Sequence, residues 1–136
     1  MSGNLAEISY NGSMEIQIVE NPIAISEVRR LAAAQFGDLV KAAVDVDRAI
    51  MALGGELHAD EEQLLLENGS AQRSLWGINL YPAKFGTPGF IEFDSMINLR
   101  PSQNNRTRAV EDASRRQQIA DVVGHLIAAE AGDAAS

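Results

Sequence analysis

Hydrophobic residues recur along this chain with two different periods, and the changes of period divide it into short elements. Met14 to Val19 (MEIQIV) places Met14, Ile16 and Ile18 at every second position, the period of a strand with one buried face. Asn21-Pro22 interrupts it. A helix is predicted over Glu27–Phe36, where Val28, Leu31, Ala32 and Phe36 share one face. Ser26 is placed to cap that helix, and Gly37 to end it in a left-handed conformation. Leu39–Val46 and Ala49–Leu57 predict a strand pair joined near Asp45–Arg48, with Gly54-Gly55 as a bulge or a point of close backbone approach.

A second helix is predicted to start at His58–Glu62, where Asp60, Glu61 and Glu62 suit the positive end of the macrodipole. It buries Leu64–Leu66 and stops at Asn68-Gly69. Leu75–Tyr81 reads as a strand with Trp76, Ile78 and Leu80 inward. Phe90–Leu99 reads as another, with Ile91, Phe93, Ile97 and Leu99 inward. Asp112 caps a last helix carrying Ile119, Val122, Val123, Leu126 and Ile127 on one stripe. The order β-α-β-β-α-β-β-α predicts an α+β domain, a mostly antiparallel sheet of about five strands with helices packed on one face. One domain is expected from residue 14 to 129, between a flexible leader (1–13) and a flexible tail (130–136). Either Met1 or Met14 can be the true start.

Composition changes this picture little, but charge changes it more. The chain has 136 residues, 46% hydrophobic and 22% charged, enough for one real core. It has no cysteine, which excludes disulfides, thiolate metal sites and a cysteine nucleophile. No run approaches the about 18 apolar residues of a membrane span, and the leader lacks the features of a signal peptide. The expectation is a cytoplasmic protein that does not engage a membrane. Its net charge of −8 argues against nucleic acid as a partner. Yet residues 38–67 hold eight acids against Lys41 and Arg48, while residues 100–116 hold five arginines against Glu111 and Asp112. These segments can pair within the fold or between subunits, or the basic one can grip an anion.

Strand alternation sends Asn79, Tyr81, Glu92, Asp94, Asn98 and Arg100 to the face opposite the core, with Glu56 and His58 beside them. Such a face is a solvated surface, a dimer interface or a site. Glu56, His58 and Asp60 fall at alternate positions in GGELHADEE and are donors that suit a divalent metal. Acids at a helix start explain Asp60–Glu62 equally well. Glu92 and Asp94 are spaced to divide acid and base roles. Arg100, Arg106 and Arg108, in NLRPSQNNRTRAVED, offer forked donors for carboxylate or phosphate. His125, late in the last helix, suits the negative end of its dipole.

The segments FGDLVKAAVDVDRAIMALGGELHADEE, LLLENGS, LWGINLYP and IEFDSMINLRPSQNNRTRAVED resemble a family of short prokaryotic proteins known as a domain of unknown function. The resemblance spans about residues 14–127 and implies a small bacterial or archaeal protein consisting of little more than this domain. It carries no activity and no residue roles.

Two functional classes follow. The first is a binding or regulatory module, homodimeric, that holds a partner or small anionic ligand through Asn79, Asn98, Arg100, Arg106 and Arg108, with no cofactor. The alternative is a divalent-metal-assisted hydrolase using Glu56, His58, Glu92 and Asp94. Whether the chain is an enzyme is left open by its sequence.

Overall fold

A computed structural model of the protein describes residues 16–130. The expected leader and most of the expected tail lie outside them, as does Met14 of the first predicted strand. The elements are β1 (Gln17–Val19), β2 (Ile23–Ala24), α1 (Ile25–Ala34), β3 (Val40–Asp45), β4 (Ile50–Leu53), α2 (His58–Glu67), β5 (Leu75–Leu80), β6 (Ile91–Glu92), α3 (Ala113–Leu126) and β7 (Ile127–Ala128). Five strands form an antiparallel sheet in the order β1-β4-β3-β5-β6, and β2 pairs in parallel with β7. The fold is α+β, as the residue pattern predicts. Among the described residues, no helix is long and apolar enough to cross a membrane.

The β3–β4 hairpin forms where the sequence places it, and Asp45 is the reason. Its Oδ1 accepts the backbone N–H groups of Asp47 and Arg48, each at 2.9 Å, and its carbonyl accepts that of Ala49. Aspartate mimics a backbone turn in this way. Ser70 Oγ donates to the other Asp45 oxygen at 2.6 Å and ties the hairpin to the end of α2.

Alternation in the central strands divides the core in two. Val40, Ala42, Val44, Met51, Leu53, Trp76, Ile78 and Leu80 pack with Val28 and Leu31 of α1 and with Ile119, Val123 and Leu126 of α3. The intervening Ala43, Ile50, Ala52 and Leu75 pack with Leu65 of α2 and with Ile16. The helices therefore occupy both faces of the sheet, not the single face expected. The physical reason is that β3 and β4 are apolar at nearly every position, which is the signature of a strand buried on both sides.

Two local expectations also change. Helix α1 begins at Ile25, two residues early, and its N-cap position is Ala24 with no side-chain hydrogen bond, so Ser26 is not a cap. Gly37 does take φ +91°, and its N–H donates to Ala32 O at 2.7 Å. The predicted strand Phe90–Leu99 is larger than the observed one. Only Ile91–Glu92 pairs, and Met96–Asn98 forms a 3-10 turn that Ser95 caps by accepting Ile97 N–H at 3.2 Å. Phe93 packs on the α1/α3 side and Ile97 on the α2 side, while Leu99 is exposed.

Asn98 replaces the missing strand. It is fully buried: its Oδ1 accepts Gly77 N–H at 2.8 Å, and its Nδ2 donates to Gly77 O and Arg108 O at 3.0 Å each. The turn thus lies directly on β5. A Cβ at position 77 would stand 2.5 Å from Ser95 Cβ and 3.0 Å from Ile97 Cγ1.

Candidate functional site

Where the Ser95–Asn98 turn passes the start of α2, the two leave a cleft of ≈ 260 Å³ over the sheet. Its floor is Lys41 of β3 and Asn79 of β5, directly opposite each other in the ladder. Directly opposite residues share a face, with Cβ atoms roughly 4.5–5.5 Å apart. One wall is Leu57–Ala59, the first turn of α2. The other is Asp94–Ile97, with Arg108 behind it. Leu57 and Met96 are 56% and 61% exposed, so the rim is apolar while the floor is polar.

The polar groups are set in distinct ways. Lys41 makes no salt bridge among the described residues, and its ammonium sits 5.1 Å from the centre of the Phe36 ring. His58 Nε2 is 2.8 Å from Ile78 O. A carbonyl only accepts, so Nε2 carries the hydrogen. Burial lowers the His58 pKa and nearby Lys41 lowers it further, against the opposing pull of the Ile78 bond, the Asn79 amide and Asp94. Burial therefore favours the neutral imidazole. Asp94 receives Arg108 through two bonds of 2.8 and 3.3 Å. The start of α2 has no side-chain cap, since Leu57 occupies the N-cap position.

Behind α2 lies a second unusual group. Glu61 is fully buried; one oxygen accepts Gly55 N–H at 2.9 Å and the other has no partner among the described residues. Burial raises its pKa well above the usual carboxylate value, only partly offset by that bond and by Lys41.

The residues singled out in the sequence separate into three groups. His58, Asn79, Asp94 and Arg108 meet in the cleft. Glu92 touches it indirectly, through Asn79 Nδ2 at 2.9 Å, and also receives Tyr81 Oη at 2.9 Å. Glu56, Asp60, Asn98, Arg100 and Arg106 do not line it. Glu56 and Asp60 separate from His58 because the chain turns helical at His58, so the alternation that grouped them ends there. Among the described residues, no three His, Asp or Glu side chains are placed to hold a metal ion. Of the four residues of the hydrolase reading, His58 and Asp94 line the cleft and Glu56 and Glu92 do not.

Arg100 belongs to the fold. Its guanidinium lies 4.3 Å from the centre of the Trp76 ring and donates to the carbonyls of Ile97, Gln72 and Leu75 and to Gln103 Oε1. Few donors are left for a ligand. Among the described residues no salt bridge joins the arginines of 100–116 to the acids of 38–67, so the pairing of those segments within the fold is not seen. Lys41 was missed as a site residue. Its signal was present: a single charge in an otherwise apolar strand, VKAAVD.

These features define a small α+β domain with one cationic side chain and one buried amide at the base of an apolar-rimmed cleft. The chain belongs to the family described as "Protein of unknown function (DUF5674)", whose profile matches residues 17–126. No curated protein and no solved structure matches it.

Proposed function

We propose that this domain is a binding module that holds a small anionic molecule in the cleft between α2 and the Ser95–Asn98 turn. The observation that carries this reading is Lys41: a half-buried cation without a salt bridge among the described residues, at the floor of a cleft onto which an uncapped helix start opens. Free N–H groups in the first turn of a helix and an ammonium favour the same ligand charge. At ≈ 260 Å³ the cleft is below the ~300–1,000 Å³ typical of drug-sized ligands, which points to a small metabolite. Arg108 contributes to the wall but is already neutralised by Asp94, so Lys41 is the anchoring charge. The hydrolase alternative has no such support.

The test is calorimetric titration of the full chain with acetate, inorganic phosphate and 4-methylpentanoate, with backbone amide NMR to locate the contacts. At least one probe should bind with a Kd on the order of 1 mM or tighter, about −4 kcal/mol. Shifts should centre on Lys41, His58 and Asn79, and Lys41→Met should abolish them. Binding by none of the probes, or binding unchanged in Lys41→Met, refutes the reading.

A further inference from the structure

The cleft offers acceptors as well as a cation, and that combination restricts the ligand further. The orientation of the Asn79 amide is fixed by its neighbours. Its nitrogen faces two acceptors, Glu92 Oε1 at 2.9 Å and the Asp94 carbonyl at 3.3 Å, so oxygen cannot stand there. The amide oxygen is on the opposite side. It is buried, Asn79 being only 7% exposed, and with the neighbouring His58 ring neutral it receives no hydrogen bond among the described residues. Such an acceptor has lost its water without gaining a donor, and a ligand N–H would restore what it lacks.

His58 supplies a second acceptor. With Nε2–H committed to Ile78 O, the neutral ring keeps its lone pair on Nδ1. Asp94, in the adjoining wall, is paired with Arg108 and adds no net charge. The cleft therefore has an acceptor pole, Asn79 and His58, beside a cationic pole at Lys41. Because Lys41 and Asn79 stand directly opposite across the β3–β5 ladder, the poles are neighbours, not the two ends of a long groove. Leu57 and Met96 at the rim offer apolar surface to a third group.

We propose that the ligand is a free α-amino acid with an aliphatic or thioether side chain. Its carboxylate lies at Lys41 and the start of α2, its ammonium donates to Asn79 Oδ1, and its side chain rests against Leu57 and Met96. Two opposite charges on one carbon match two neighbouring poles, which a simple carboxylate or an amine matches only by half. This inference rests on the anion-binding reading above and deepens it.

The experiment compares leucine and methionine with analogues that each lack one group, titrated into the full chain by calorimetry and followed by amide NMR. 4-Methylpentanoate lacks the ammonium, 3-methylbutylamine the carboxylate, and N-acetyl-leucine the positive charge; glycine lacks the side chain. Leucine or methionine should bind at least about ten-fold more tightly than each of these. If 4-methylpentanoate or N-acetyl-leucine binds as tightly as leucine, the amino-acid proposal is overturned while the anion reading stands. If only the amine binds, or nothing does, both fail. Asn79→Leu should bring leucine and 4-methylpentanoate to within about two-fold of each other, without weakening the latter. Should that variant not fold, Met96→Ala, on an exposed side chain, serves instead. It should weaken leucine by at least about three-fold and leave glycine unchanged, and equal effects on both would overturn the proposal.

Discussion

Asn98 stands in for a strand that β5 lacks beyond its two-residue pairing with β6, and removing it has a cost that can be estimated group by group. Asn98→Ala deletes three hydrogen bonds of 2.8–3.0 Å and leaves Gly77 N–H and Gly77 O without partners, while Arg108 O keeps the bond it accepts from Ser95 N–H. Each buried orphan costs roughly 1–3 kcal/mol. Water entering the space left by the amide would relieve part of this, which brings the sum to about 2–4 kcal/mol, a large share of the ~5–15 kcal/mol that stabilises a typical domain. For a chain of this length the melting temperature should fall by about 8–16 °C. The assay is thermal unfolding by circular dichroism, combined with amide hydrogen exchange. Exchange at Gly77 should accelerate selectively, because its N–H loses its acceptor while the neighbouring β3–β5 ladder remains. A melting temperature within about 3 °C of the parent, or Gly77 protection unchanged, would refute the reasoning.

Three further outcomes follow from the same physics. Gly77→Ala places a methyl 2.5 Å from Ser95, so the turn must move; a loss of about 1–3 kcal/mol in urea unfolding is expected, with NMR shifts concentrated at residues 94–98. Arg100→Lys keeps the charge but not the fork that bonds several carbonyls, so it should destabilise by about 2–4 kcal/mol, read as a lower urea midpoint with the fluorescence of Trp76, the single tryptophan. Burial raises the Glu61 pKa in the native state, so the native state binds its proton more tightly than the unfolded chain does. Its contribution is fully present below about pH 4.5 and is lost as pH rises toward its raised native pKa, at up to about 1.4 kcal/mol per pH unit. Glu61→Gln should flatten that decline in unfolding free energy measured from pH 5 to 8, and an unchanged slope would exclude Glu61 as its source.

The strands and helices were readable wherever one local rule acted alone. The hairpin at Asp45, the left-handed Gly37 and the Asp112 cap, which accepts Ser114 N–H at 3.2 Å, each depend on a few adjacent residues. The region from Phe93 to Arg100 failed because alternation continues there without a partner strand. Ile97 and Leu99 keep the period of Ile91 and Phe93, but Ser95 caps a turn and Asn98 bonds across the gap, and neither bond has a sequence period. The same gap decided which site residues were recognised. His58, Asn79, Asp94 and Arg108 are brought together, whereas Asn98 and Arg100, chosen by the same alternation, serve as structural bridges.

The charge asymmetry resolves along the same line. Five arginines between residues 100 and 116 suggest an anion-binding loop, yet most are occupied by neutral groups. Arg100 takes backbone carbonyls, Arg116 donates to Val110 O at 2.7 Å and to Glu111 O, and Arg115 stacks 5.1 Å from the centre of the Trp76 ring. Arg108 meets a carboxylate, Asp94, in the cleft wall. A loop with little regular structure must satisfy its carbonyls with side chains, and the guanidinium is the side chain that serves several at once. The arginines are thus largely the means by which residues 95–111 are folded back onto β5. Their consequence for binding is indirect: they build the wall of a cleft whose anchoring cation, Lys41, lies in the segment that the overall charge marks as acidic.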